Sequence, residues 1–120
     1  MSQILLVEDS QAEAEKLTRY LQKQRLSVLR VTSGEEAELR LKQQKPVLIV
    51  LDVILPGQSG FELCRKLKAN PETQKIPVVM CSTKNKEVDK TWANMSGADA
   101  YLTKPVDEAA LQQTINQLIG

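Results

Sequence analysis

Four short apolar runs, each followed by polar or charged residues, constrain the fold of this chain more than any other feature. The runs cover residues 4–7, 47–51, 78–81 and 101–103, and they lead into Glu8-Asp9, Asp52, Ser82-Thr83 and Lys104-Pro105. Apolar runs of this length, bounded by turn residues, are typical of buried parallel strands. The ligand site of an open α/β sheet lies at the carboxyl ends of its strands. The pattern therefore predicts a crevice of carboxylates, a hydroxyl and an ammonium, which suits a divalent cation and a phosphoryl group.

Strand-like and helix-like segments alternate along the whole chain, which favours βα units and a parallel sheet. The strands are predicted over residues 3–8, 27–31, 47–52, 77–81 and 100–103. Apolar residues at helical spacing predict the inner faces of three of the five helices: Ala14, Leu17, Thr18 and Leu21; Phe61, Leu63, Cys64 and Leu67; and Leu111, Ile115, Leu118 and Ile119. A capping box at Ser33 and Glu36 should open the second helix, and Asn70-Pro71 should end the third. These elements account for residues 1–120 as a single domain.

The composition excludes several classes of function. Charged residues make up 26% of the chain and the net charge is +1, so bulk attraction to nucleic acid or to an anionic membrane is not expected. No apolar stretch approaches the roughly 20 residues that cross a bilayer, and the first run is too short for a secretory signal. We expect Cys64 and Cys81 to be reduced and buried, as in a cytoplasmic protein. The chain has no histidine, which excludes a phosphohistidine of its own.

The acidic residues after the first and third strands predict the chemistry of the crevice. Glu8 and Asp9 would repel each other there unless a hard cation such as Mg²⁺ lay between them, although acids at this point could also simply begin the next helix. If the first and third strands are neighbours, Asp52 joins this pair and can act as a carboxylate nucleophile that forms an aspartyl-phosphate. Lys104 can reach a phosphoryl oxygen as a point charge, and Ser82 can offer a hydroxyl. Considered alone, Lys104 would be an ordinary surface residue and Ser82 an ordinary turn residue.

Four motifs, in this order and over nearly the whole chain, resemble those of response regulator receiver domains, most closely the single-domain, chemotaxis-style receivers. They are residues 7–10, residues 51–56 with Gly60, residues 81–83, and residues 97–105. The resemblance implies a flavodoxin-like, doubly wound sheet of five parallel strands in the order 2-1-3-4-5, with five helices. It implies that Asp52 is the phosphoacceptor and that Mg²⁺ binds at Glu8, Asp9, Asp52 and the backbone carbonyl of Ile54. It also assigns a mobile hydroxyl to Ser82, a phosphoryl partner to Lys104, an aromatic switch to Tyr101, and a cis bond to Lys104-Pro105.

The same resemblance implies a stand-alone signalling protein and not an enzyme, beyond its own phosphoryl transfer and a slow self-dephosphorylation. A partner sensor histidine kinase would supply the phosphoryl group. The signal would leave through a downstream effector protein that binds the face formed by the fourth helix, the fifth strand and the fifth helix. We expect a monomer or a weak homodimer, with a role in motility, chemotaxis or phototaxis.

Some positions depart from the usual pattern of the family. Glu8 stands where an aspartate is common, so it is expected to reach the metal through a water. Residues 92–97 resemble receivers of pilus-based motility and phototaxis, but Val88, Trp92 and Met95 could equally form the inward face of the fourth helix.

The ammonium of Lys104 is expected to make its contact only once a phosphoryl group is present. The resemblance also implies that Ile54 and Lys84, each two positions after a site residue, flank the path of a hydrolytic water. The apolar Ile54 should slow its attack, and Lys84 could cover the phosphoryl oxygens.

Three other interpretations of the sequence remain open. A pseudo-receiver would share the fold and act as a binding module without phosphorylation. A flavin-binding flavodoxin-like protein would need a phosphate-binding loop where Glu8 and Asp9 stand. A Mg²⁺-dependent phosphohydrolase would usually carry a second acid at the position of Ile54.

Overall fold

The computed structural model describes residues 2–120 as one five-stranded parallel sheet in the order β2-β1-β3-β4-β5, which confirms the predicted topology. The strands are β1 (Gln3–Val7), β2 (Ser27–Val31), β3 (Leu48–Leu51), β4 (Val78–Ser82) and β5 (Ala100–Thr103). The helices are α1 (Gln11–Lys23), α2 (Gly34–Gln43), α3 (Gly60–Ala69), α4 (Glu87–Met95) and α5 (Glu108–Ile119).

The register of the sheet brings the ends of β1 and β3 to the same level. Val7 pairs with Leu51, and the Asp52 amide donates to the Val7 carbonyl at 3.1 Å. Glu8 and Asp52, predicted as the last strand residues, lie one position beyond the strands, where their side chains are free to turn into the crevice. Ser82, predicted to follow its strand, belongs to β4, because its carbonyl accepts the Lys104 amide at 2.8 Å.

Two apolar layers cover the faces of the sheet, so the central strands are apolar on both sides, as parallel strands usually are. One layer joins the sheet to α2, α3 and α4 and the other joins it to α1 and α5. The predicted inner residues of α1, α3 and α5 lie in these layers, except that Thr18 is partly exposed and Ile119 is exposed. Cys64 and Cys81 are free thiols and are buried in the core, as expected.

Polar caps fix the starts of the helices that flank the site. The Ser10 and Ser59 hydroxyls accept hydrogen bonds from the third residue beyond each cap, as Ser33 does in front of α2. Only half of the predicted capping box forms: the Ser33 hydroxyl accepts the Glu36 amide, but the Glu36 carboxylate accepts the amide of Thr32 and not that of Ser33. None of the helices within residues 2–120 has the length and apolar character needed to cross a bilayer.

Helix α4 presents its apolar stripe to solvent. Val88, Trp92 and Met95 are 55%, 51% and 72% exposed, so the alternative that they form the inward face of this helix is wrong. Their spacing has the helical period, and a period alone does not show which side of a helix faces the core. Ala93 is the buried apolar residue of α4, and this short side chain lets the helix lie against the sheet.

Gly60 allows α3 to begin directly beneath the Asp52 backbone. A Cβ atom at this position would lie 2.1 Å from the Asp52 carbonyl oxygen, which no side chain can accommodate without moving the backbone. The Gly60 amide also donates to the Val53 carbonyl at 2.8 Å. The glycine therefore fixes the loop that carries Asp52.

Candidate functional site

Three carboxylates meet at the carboxyl edge of the sheet, as the sequence predicts. Glu8, Asp9 and Asp52 each contribute an oxygen that lies within 4.8 Å of the other two. Glu8 is 1% exposed and Asp52 is 8% exposed, whereas Asp9 faces solvent. An acidic cluster, buried at Glu8 and Asp52 and open to solvent at Asp9, therefore forms where β1 and β3 end.

The ammonium of Lys104 lies between two of these acids. Its Nζ atom is 2.5 Å from Glu8 Oε1 and 3.1 Å from Asp52 Oδ2, and the lysine side chain is 7% exposed. The expectation that Lys104 makes its contact only when a phosphoryl group arrives is therefore wrong. The physical reason is that two buried carboxylates need a counter-charge in the resting protein. The Lys104-Pro105 peptide bond is cis, as the resemblance implied.

Backbone amides occupy the remaining oxygens of the two buried acids. The Ser10 amide donates to Glu8 Oε2 at 3.1 Å, and the Ile54 amide donates to Asp52 Oδ1 at 3.2 Å. Ile54 thus contacts the site through its N–H, while the predicted metal contact of its carbonyl stays a prediction. Donors therefore engage both oxygens of each buried acid, and the solvent-facing carboxylate of Asp9 is the most accessible of the three for a cation.

Burial and charge act against each other in this cluster. Burial raises the pKa of Glu8 above its ordinary value, although hydrogen bonds from Lys104 and the Ser10 amide oppose the rise. Burial would lower the pKa of Lys104, but Glu8 and Asp52 outweigh it and raise that pKa. The ammonium is therefore retained, and it stands against three acidic side chains. These hard oxygen donors fit one Mg²⁺ ion.

The two predicted switch residues meet at one residue of the loop between β4 and α4. The buried Ser82 hydroxyl accepts the Lys84 amide at 3.2 Å, and the Tyr101 hydroxyl donates to the Lys84 carbonyl. Burial raises the pKa of the partly buried Tyr101 phenol above its ordinary value. Ser82 at the site and Tyr101 on β5 thus both hydrogen-bond to the backbone of Lys84.

Sequence reasoning missed Arg30 in the edge strand β2. Its Nε atom donates to the Glu8 carbonyl at 3.0 Å, and its NH2 group donates to the Asp9 carbonyl at 3.2 Å. A charged residue within the otherwise apolar run of residues 28–31 was the available signal. A residue of a strand that carries none of the recognised motifs therefore contacts the backbone of the site.

Comparisons with known proteins show which family this chain resembles. Residues 4–116 match the model of the response regulator receiver domain family. Protein PilH of Pseudomonas aeruginosa is 42% identical over 120 residues, which are 100% of this chain and 99% of PilH. The phosphate regulon transcriptional regulatory protein PhoB of Rhizobium meliloti is 34% identical over 99% of this chain, which spans only 52% of PhoB.

A solved structure shares this fold. The receiver domain of the sensor histidine kinase PA1611 from Pseudomonas aeruginosa PAO1 superimposes with a TM-score of 0.91 and 26% identity. The match covers 99% of this chain and 98% of that one. A magnesium ion is coordinated in the active site cleft of that receiver domain.

Proposed function

This chain belongs to the response regulator receiver domain family of two-component signalling, and from that membership we propose that Asp52 accepts a phosphoryl group from a sensor histidine kinase. The observation that carries the proposal is the convergence of Asp52 with Glu8, Asp9 and Lys104 at the end of β3. A phosphoryl acceptor needs neighbours that neutralise the three phosphoryl oxygens, and this cluster offers an ammonium and a cation site.

Asp9, Asp52 and the Ile54 carbonyl would hold Mg²⁺ directly, and Glu8 would hold it through a water. The bound ion would neutralise the charge that builds up on the transferring phosphoryl group. The carboxylates would position the ion, because they directly follow two adjacent strands whose register brings the strand ends to one level. The magnesium site of the PA1611 receiver domain supports this assignment.

Transfer forms a bond between an Asp52 carboxylate oxygen and the phosphorus, while the bond from phosphorus to the imidazole nitrogen of the kinase histidine breaks. The imidazole leaves with the electron pair of that bond. The Lys104 ammonium, held 3.1 Å from Asp52 Oδ2, then turns to a phosphoryl oxygen. This exchange of partners needs little movement, because the ammonium already lies beside the acceptor carboxylate.

Activation would be transmitted through the backbone of Lys84. If the Ser82 hydroxyl turns to donate to a phosphoryl oxygen, the Lys84 amide loses its acceptor and the loop moves. Tyr101 then loses the carbonyl to which it donates, and its ring can repack against the sheet. The face formed by α4, β5 and α5 changes shape, and a downstream effector protein would bind it.

The proposal also covers the domain organisation, the oligomeric state, the pathway and the location of the protein. The chain would act as a single receiver domain over residues 1–120, as a monomer or weak homodimer, with slow self-dephosphorylation. The similarity to PilH supports a motility or chemotaxis-type pathway. The free thiols of Cys64 and Cys81 support a cytoplasmic location.

The test is uptake of a phosphoryl group from acetyl phosphate, followed by intact mass. The parent should gain the mass of one phosphoryl group only when Mg²⁺ is present, and Asp52→Asn should gain none. Asp107→Asn is the matched control, since this exposed cap of α5 lies outside the site and asparagine also caps helices. Full labelling of Asp52→Asn would show that Asp52 is not the acceptor. A parent that binds Mg²⁺ and never labels would be a pseudo-receiver.

A further inference from the structure

Arg30 bridges two successive carbonyls of the loop between β1 and α1. This half-buried arginine lies on the edge strand β2, 22 residues from Glu8, and its guanidinium donates to the Glu8 and Asp9 carbonyls at 3.0 and 3.2 Å. A guanidinium presents several donors in a rigid plane, so it can hold two acceptors at a fixed separation. The contact therefore fixes two neighbouring peptide groups with one side chain.

The bridge continues the β1–β2 ladder after its backbone pairing has ended. The last backbone bond runs from the Glu8 amide to the Val31 carbonyl at 3.0 Å, and α1 begins only at Gln11. Between these points the chain must turn so that the Glu8 and Asp9 side chains both face Asp52. The Arg30 bonds act on the two peptide groups whose orientation directs those side chains.

From this placement we infer that Arg30 is a positioning residue for the binding of a divalent cation. It touches no ligand oxygen, and it acts by holding the backbone from which Glu8 and Asp9 project. The inference rests on the proposed function, which assigns a cation to the acidic cluster. Groups that orient metal ligands from outside the coordination sphere typically change metal affinity by about 10–100-fold.

Charge and geometry predict opposite effects for the loss of Arg30. As a positive charge near an acidic site, the guanidinium repels a cation, so its removal should tighten Mg²⁺ binding if it acts by charge alone. As a clamp, it holds the ligands together, so its removal should weaken binding. The sign of the change therefore separates the two roles.

The experiment measures Mg²⁺ affinity by isothermal titration calorimetry for the parent, Arg30→Met, Arg30→Lys and Arg19→Met. Arg19 lines the same surface groove as Arg30 and is exposed, so Arg19→Met removes an equal charge nearby without removing the bridge. We expect Arg30→Met to bind Mg²⁺ about 10-fold more weakly than the parent. Arg30→Lys should also bind more weakly, since an ammonium cannot span both carbonyls, and it serves as the second variant if Arg30→Met does not fold. Arg19→Met should bind as the parent does or slightly more tightly.

A second readout separates positioning from a general loss of structure. At saturating Mg²⁺, Arg30→Met should take up the phosphoryl group from acetyl phosphate at nearly the parental rate, because only the affinity for the ion is impaired. Unchanged or tighter Mg²⁺ binding by Arg30→Met would overturn this inference alone. Absence of Mg²⁺ binding by the parent would overturn the proposed function and the inference with it.

Discussion

Replacing Lys104 with methionine should destabilise the resting protein strongly, although the residue lies in the functional site. At 3.1 Å the Lys104–Asp52 pair is worth about 5 kcal/mol of Coulomb attraction at an effective dielectric of about 20, and the Glu8 contact at 2.5 Å adds a similar amount. Desolvation of the three buried groups opposes most of this. Without the ammonium, both acids remain desolvated and the attraction that offset this cost is lost. The expected cost is therefore about 3–5 kcal/mol in the free energy of unfolding.

Urea unfolding of Lys104→Met at neutral pH measures this cost. The matched control is Lys23→Met, because Lys23 pairs with Glu108 at 3.4 Å across a surface where the two side chains are 67% and 39% exposed. Loss of such an exposed pair should cost only about 0–1 kcal/mol. A Lys104→Met protein that unfolds at the parental urea concentration would refute the reasoning.

Changes in pH and in Mg²⁺ concentration identify the cause of the lost stability. The pKa of Glu8 is already raised by burial, and it should rise further without Lys104. A folded pKa above the unfolded value of 4.5 means that the native state binds more protons, so stability is lost as pH rises above that value. The deficit of Lys104→Met against the parent should therefore grow from acidic towards neutral pH. Mg²⁺ at 100 times its dissociation constant should stabilise Lys104→Met by about 2.7 kcal/mol relative to the same variant without the ion.

Three other outcomes follow from the site and the core. Gly60→Ala should destabilise the protein by about 1–3 kcal/mol in urea unfolding, because the new Cβ meets the Asp52 carbonyl oxygen, and a parental midpoint would contradict the close contact. Burial raises the pKa of Cys81 to about 12, so its neutral thiol stabilises the fold fully below pH 9. Above pH 9 the free energy of unfolding of the parent should fall by about 1.4 kcal/mol per pH unit relative to that of Cys81→Ala. A difference between the two proteins that stays constant with pH would show that the pKa of the thiol does not change on unfolding. Ile54→Asn should shorten the lifetime of the phosphorylated protein, since the apolar side chain of Ile54 cannot orient an attacking water, and unchanged decay after removal of acetyl phosphate would exclude this role.

The strand order and the acidic cluster were predictable because they depend on patterns of several residues. The apolar runs and their polar ends fix which residues reach the carboxyl edge, and parallel pairing then brings Glu8 and Asp52 together. The resting position of Lys104 was not predictable from the resemblance, which describes what a residue does with a phosphoryl group. That position follows from the need to neutralise buried acids before the ligand arrives.

The contacts of single side chains were less accessible to sequence reasoning. The bridge from Arg30 joins residues 22 positions apart, and no spacing rule links a strand arginine to a particular pair of carbonyls. The alternative in which α4 turns Trp92 inward was wrong for a related reason. Trp92 fits the apolar period of the helix whichever side of the helix faces the core. In both cases the three-dimensional neighbours decide the role, and the local pattern does not.

The exposed position of Trp92 gives the protein an optical reporter. It is the only tryptophan in the chain, it is 51% exposed on α4, and it does not belong to the apolar layers that form the core. Its fluorescence should already resemble that of a solvated indole in the native state, so the emission colour will change little on denaturation. Emission that shifts to shorter wavelength will instead report that another molecule has covered α4, and a titration of effector protein can be followed without any label.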